Sequence, residues 1–219
     1  KACAMTTPST PTKLHHHHDP NNRTFEQYYE AVQGRPPRKT LLLALDKFDA
    51  EPTSRHRLAI DLGCGDGRDT VEILRRGWQV LAMDKETDAI ARLIQRTDLN
   101  PTHLQTQVSS FESFVFPDQV DLINASFCLQ FCPAEQFPVF WEKAVKALVS
   151  GGRFSGQLIG NRDSWNQYSN MSCYSLEQMK DFFKDFEFDL FEEEEHPGKT
   201  ALGEEKYWHI FQIVACKKG

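Results

Sequence analysis

Apolar positions follow two rhythms along the chain. Phe25, Tyr28, Tyr29 and Val32 recur at i, i+3, i+4 and i+7, which predicts a short helix stopped by Gly34. Pro36 and Pro37 open a second helix carrying Leu41, Leu42, Leu45 and Phe48. The rhythm then changes. Residues 58–62 form a short apolar run that ends in glycines, as a buried strand does. A helix over 69–76, closed by Gly77, leads to a strand over 78–83 that ends at Asp84. A helix over 87–96, with Ile90, Leu93 and Ile94 on one side, precedes a weaker strand at 103–108 and a stronger one at 120–127. Residues 135–149 read as helix, with Pro138 tolerable in the first turn, and Gly151-Gly152 as its stop before a strand over 153–159. Ser175 to Gln178 form a capping box that opens a helix running to about Lys184. Strands over 186–191 and 207–216, joined by a charged connection, close the chain. Such alternation predicts an α/β fold, a mainly parallel sheet with helices on both faces.

Residues 1–24 break the pattern. They form a polar lead-in that buries no apolar face and is expected to be disordered. Lys1 to Ala4 ahead of Met5 read as an engineered remnant; His15 to His18 read as a tag or a natural disordered stretch, with metal binding the lesser alternative. Residues 25–219 are expected to form a single domain. The full chain's 25 Lys and Arg against 31 Asp and Glu give a net charge of −6, which argues against a nucleic-acid partner. The charge-free stretch from Leu122 to Ala134 is well short of the roughly 20 residues of a membrane helix, so no membrane partner is expected. Six scattered cysteines and no secretory signal point to reduced thiols and a cytoplasmic location. Cys128 and Cys132 lack a second ligand pair, so they read as buried hydrophobes and no metal is expected.

Candidate chemistry lies where the first strand ends, at Asp61-Leu62-Gly63-Cys64-Gly65-Asp66-Gly67. Alternating glycines let the backbone turn sharply and approach a ligand closely. Asp84, some twenty residues on, offers a carboxylate to ribose hydroxyls. A dinucleotide fingerprint starting at Gly63 needs glycine where Arg68 stands, and one starting at Gly65 needs glycine where Thr70 stands. No Gly-Lys-Ser/Thr follows the turn, so a P-loop fails too. Asp61 and Asp66 around the bend suit a cationic ligand better than a pyrophosphate.

The run Ile60 to Gly67 resembles motif I of the class I S-adenosylmethionine-dependent methyltransferases. Asp84 after Val80 to Met83 resembles the ribose-binding acid of that family, Val120 to Ile123 its fourth-strand motif, and Leu148 to Phe154 its turn into strand five. The short chain is most similar to the small-molecule members of the tellurite-resistance or thiopurine type. The resemblance implies a Rossmann-like, mainly parallel seven-stranded sheet with a C-terminal antiparallel hairpin, and residues 25–50 as a helical lid. It implies S-adenosylmethionine as cofactor, S-adenosylhomocysteine as product, and direct SN2 transfer to a small-molecule acceptor. Cofactor contacts then fall to Asp61, Gly63, Cys64, Gly65, Asp84, Lys85, Ser110, Phe111, Asn124 and Tyr29, with Ser110 standing where an acid is usual. Substrate contacts fall to Tyr28, Phe127, Arg162 and Trp165: Arg162 to neutralise a carboxylate, Trp165 to stack on a ring or cover a cation. Each also reads as an ordinary surface or docking residue, and Gln130 as either a cap or a contact. His209 reads as a structural histidine inside the last strand and His196 as solvated. Glu192 to Glu195 resemble a metal site in composition only, because successive side chains on a strand alternate faces. No catalytic base is assigned. A non-catalytic cofactor-binding partner and, further off, a nicotinamide-dependent oxidoreductase are the alternative functions; oligomeric state stays open.

Overall fold

The computed structural model describes residues 25–219; the lead-in, with its four histidines, lies outside the described residues. Helices α1 (Phe25–Val32) and α2 (Lys39–Asp49) precede β1 (Leu58–Leu62), α3 (Thr70–Arg75), β2 (Gln79–Asp84), α4 (Thr87–Ile94) and β3 (Leu104–Val108). Then come β4 (Val120–Ala125), α5 (Phe137–Ala147), β5 (Leu148–Ile159), α6 (Leu176–Phe182), β6 (Phe186–Lys199) and β7 (Glu205–Lys217). The sheet order is β3-β2-β1-β4-β5-β7-β6. Strands β1 to β5 pair in parallel, and β7 runs antiparallel between β5 and β6. The expected Rossmann-like sheet and its antiparallel end are therefore present.

Side chains alternate along the central strands and feed two cores. Ile60, Leu62 and Met83 point to the face covered by α5 and α6, where Phe137, Trp141, Met179 and Phe183 pack. Ala59, Val80 and Ala82 point to the other, covered by α2, α3 and α4 through Leu41, Leu45, Ile73 and Leu93. A strand buried on both faces has no reason to alternate polar with apolar, which is why β4 is buried throughout. The capping box forms as expected: Ser175 Oγ accepts from Gln178 N at 3.1 Å and Ser175 N donates to Gln178 Oε1 at 2.9 Å.

Two boundaries differ from the sequence reading. Helix α5 ends at Ala147, and β5 already runs through Gly151 and Gly152. Val120 pairs with Leu148 and Leu122 with Arg153, so extra residues bulge there. A Cβ on Gly152 would stand 2.8 Å from Val149 O and 3.1 Å from Asp121 O, so Gly152 serves a close backbone crossing and Gly151, with φ 79°, a left-handed bend, rather than a helix stop. The expected charged connection after residue 191 is mostly strand: β7 pairs with β6 as far as Lys199↔Glu205. As the sheet's edge, β6 tolerates Pro197 and presents charge to solvent.

Candidate functional site

The end of β1 turns at Gly63 (φ 59°) and Gly65 (φ 55°), a left-handed geometry that favours glycine. A Cβ on Gly63 would lie 2.5 Å from Cys128 Cβ, and Cys128 Sγ donates to Leu62 O at 3.1 Å. The loop after β4 thus presses directly on the bend. Gly65 N donates to Asp84 Oδ2 and Glu86 N to Asp84 Oδ1, each at 2.9 Å. Burial raises the Asp84 carboxyl from its usual range, against the backbone donors and Lys85. Each of its oxygens keeps a lone pair for a further donor.

A buried polar network holds the bend from beneath. Asp61 accepts from Thr70 Oγ1 at 2.5 Å and from Asn124 Nδ2 at 2.9 Å. Asp69 accepts from Ser126 Oγ, Asn124 Nδ2 and the Arg38 backbone N–H. Ser155 Oγ donates to Asn124 Oδ1 at 2.8 Å. Burial and then the Asp69 carboxylate push Asp61 up to about 7.

Above the bend lies a cavity of about 410 Å³, within the range of small-molecule sites. The structure brings Gly63, Gly65, Asp84, Lys85, Ser110 and Phe111 to it, together with Tyr28, Tyr29, Phe127 and Trp165. Tyr29 is buried and its ring lies over the bend: a Cβ on Gly65 would touch it at 3.3 Å. Burial, and then Asp84, raise the Tyr29 hydroxyl, which stays protonated. Phe127 has φ 50°, unusual for a bulky residue. Gln157 Oε1 accepts from its backbone N–H at 3.1 Å, and Gln130 Nε2 donates to its carbonyl at 2.7 Å. Its ring lies 4.5 Å below the Arg38 guanidinium and 6.2 Å from the Trp208 ring.

Four expected contacts lie elsewhere. Asp61, Cys64 and Asn124 do not line the cavity; Asp61 and Asn124 belong to the supporting network, and the buried Cys64 packs into the α2–α4 core. Arg162 does not reach the cavity either, because Glu193 and Glu195 claim it: its Nη2 lies 2.7 Å from Glu193 Oε1 and its Nε 2.9 Å from Glu195 Oε1. Alternate residues of a strand share a face, so these two glutamates converge although their immediate neighbours do not. With His209 they place ligand-type atoms within 4.8 Å of one another, but the Arg162 guanidinium supplies the positive charge. His209 is structural: its Nδ1 accepts from Arg162 N at 3.0 Å and its Nε2 lies 2.9 Å from Glu193 Oε1.

Sequence reasoning missed part of the lining. His196, Lys199 and Thr200 arrive because β6 is longer than its apolar pattern, and Trp208 because β7 pairs with it. Arg35 and Arg38 come from the connection between α1 and α2, which carries no periodic signal. Asp163 is fully buried, accepts from Trp165 N and His209 N and pairs with Lys206; its position as the cap of a short turn was the available clue.

Asp84 is a carboxylate acceptor of the kind that ribose hydroxyls can use. Gln130 offers another acceptor: its Oε1 is buried without a partner among the described residues, and the side chain lines the cavity. Close glycine backbone completes a donor set that fits S-adenosylmethionine. Residues 59–152 match the family model described as a methyltransferase domain. Among solved structures the chain is similar to TehB from Haemophilus influenzae, with TM-score 0.63 and 20% identity over 79% of this chain and 62% of that one, so it spans less than two thirds of TehB. It is similar to the N-methyltransferase NodS from Bradyrhizobium japonicum WM9, with TM-score 0.62 and 16% identity over 91% of this chain and 99% of that one. The Burkholderia thailandensis 1,6-didemethyltoxoflavin-N1-methyltransferase, solved with its substrate and S-adenosylhomocysteine, gives 0.61 and 16% over 83% and 78%. At these identities the likeness is one of fold. The matched segment, which is similar to a methyltransferase domain, contains the bend, Asp84 and β4.

Proposed function

We propose that the chain methylates a small-molecule acceptor held in the same cavity as the cofactor. The observation that carries this reading is the continuity of that cavity, from Gly65 and Asp84 at one end to Trp165 and Trp208 at the other. S-adenosylmethionine supplies an electrophilic methyl group on a sulfonium. Asp84 accepts from ribose hydroxyls, the glycine bend admits the chain of the cofactor, and Ser110, Phe111 and Lys85 flank the base. Tyr28, Phe127 and Trp165 face the acceptor. Asp61 and Asn124 act through the bend as positioning residues. Helix α1 serves as a lid on one side and the β6–β7 hairpin covers the other, so both exclude water from a step in which positive charge is lost. The acidic surface and the size of the cavity favour a small molecule over a nucleic acid. Five free cysteines among the described residues fit a reducing, cytoplasmic compartment. No described helix is long and apolar enough to cross a membrane.

Calorimetry tests the reading. S-adenosylhomocysteine is expected to bind in the micromolar range, about −8 kcal/mol, and Asp84→Ala to weaken it at least tenfold. Binding of NAD in its place, or an indifferent Asp84→Ala, would overturn the assignment. A labelled-methyl screen across thiols, metalloid oxyanions, phenols and amines then identifies the nucleophilic atom.

A further inference from the structure

The charges around the cavity are sorted by position. Its two carboxylates, Asp84 at the end of β2 and Glu112 after β3, stand with Lys85 at the nucleoside end. Arg35, Arg38 and Lys199 come from the α1–α2 connection and the β6–β7 hairpin. Lys199 already has Glu205 at 3.2 Å. Neither Arg35 nor Arg38 has an ion pair among the described residues, although the guanidinium of Arg38 lies against Phe127. Desolvation by burial and repulsion from Arg68 and Arg35 lower the pKa of Arg38, against attraction from Tyr28 and from Asp69, whose oxygens are taken by the Arg38 backbone N–H, Asn124 and Ser126. A partly desolvated guanidinium without a carboxylate is a site for an anion. The cofactor brings one carboxylate together with two cationic groups, so a pair of unmatched guanidiniums exceeds what it requires.

The neighbouring wall is aromatic. Trp165 and Trp208 lie 5.6 Å apart between centroids, with Phe127 next to Trp208. The Lys206 ammonium stands 3.9 Å and 4.3 Å from the two indole centroids and pairs with buried Asp163. A cage for a cationic ligand needs π-faces without a cation on them. Here a resident ammonium, buried outside the cavity lining, already lies over both rings, so the wall suits a planar ring and disfavours a second cation.

We propose that the methyl acceptor is an aromatic anion, its ring against Trp165, Trp208 and Phe127 and its acidic group on Arg38. This rests on the methyl-transfer reading and narrows its substrate class. The full chain, saturated with S-adenosylhomocysteine, is titrated with three probes of one shape: 2-naphthoate, 2-naphthamide and 2-naphthylmethylammonium. Naphthoate is expected to bind at least tenfold more tightly than the amide, with the ammonium weakest. Arg38→Gln keeps the backbone N–H on Asp69 and is expected to erase the preference for naphthoate while changing the affinity for S-adenosylhomocysteine less than threefold; Arg38→Lys should retain most of the preference. Equal binding of the three probes, a preference for the ammonium, or no naphthoate binding at millimolar concentration overturns the proposal. So does Arg38→Gln weakening S-adenosylhomocysteine tenfold with the naphthoate preference intact. The wild-type comparison needs no variant. Failure of S-adenosylhomocysteine to bind wild type defeats the methyl-transfer reading instead, and is seen before any probe is added.

Discussion

Gly63 has room for a hydrogen and nothing larger. In Gly63→Ala the added Cβ meets Cys128 Cβ at 2.5 Å and takes a left-handed φ. The combined cost is about 3 kcal/mol, to be read as a lower urea midpoint with loss of S-adenosylhomocysteine binding. Asp61 gives a different signature. An unfolded aspartate ionises near pH 3.9, while burial and Asp69 push Asp61 up to about 7 in the fold. The folded chain therefore holds a proton that the unfolded chain releases. This contribution to stability is complete below about pH 4 and lost as pH rises towards 7. Acids with lowered values, such as Glu72, Glu193 and Glu195, act in the opposite sense and only below about pH 4.5. Between pH 5 and 7 the wild-type urea midpoint should fall, and Asp61→Asn should flatten that fall. Gly63, Gly65 and Asp84 were legible in the sequence because a backbone geometry and a strand end fix their roles locally. Arg38 and His196 were not. Their places depend on which distant elements meet over the bend, and no local pattern encodes that meeting.

At the scale of elements, the site is walled by two segments of different firmness. Helix α1 buries only Tyr29 and Val32, whereas α2 buries five residues and packs into the sheet. Its hold comes from Tyr29 on the bend and from the Arg92 and Lys85 cations over Tyr29 and Phe25. Amide exchange in α1 is expected to be faster than in α2, and S-adenosylhomocysteine to slow it selectively. The β6–β7 hairpin is firmer because β7 pairs with it over its whole length. Arg162 is half exposed on this hairpin's face. Arg162→Ala should leave the urea midpoint close to that of wild type, as for an exposed ion pair, and leave S-adenosylhomocysteine affinity unchanged, as expected of a residue outside the cavity. The hairpin also shows why the sequence under-called it. Four successive glutamates and a Pro-Gly pair carry no strand signal of their own. They extend because the residues opposite them, His209 to Gln212 for the glutamates and Lys206 and Tyr207 for the Pro-Gly pair, already belong to a strand inside the sheet. The helices, whose apolar spacing is self-contained, were placed to within a few residues.

Across the whole molecule, β7 lies inside the sheet between β5 and β6, so the β6 edge meets the parallel strands through it. One ion cluster ties its separate regions. Arg153 on β5 is buried and donates to Glu51, just beyond α2, and to Asp189 on β6 at 2.7 Å, while its guanidinium lies 4.7 Å from the Phe48 ring. The cluster thus joins the N-terminal helices to the far edge of the sheet. Removing the arginine leaves Asp189, largely buried, without its hydrogen-bonded partner, though Lys47 remains 3.6 Å away. A broken buried pair costs about 3–5 kcal/mol; the Lys47 contact and the exposure of Glu51 place Arg153→Met near the lower end of that range. Because the arginine joins regions that fold as one, urea unfolding followed by far-UV dichroism and by tryptophan fluorescence should shift in concert. A midpoint shift by one probe alone, leaving the other in place, would mean that the N-terminal helices and the β6–β7 edge melt independently, and that the cavity between them is assembled from parts not held by a common core.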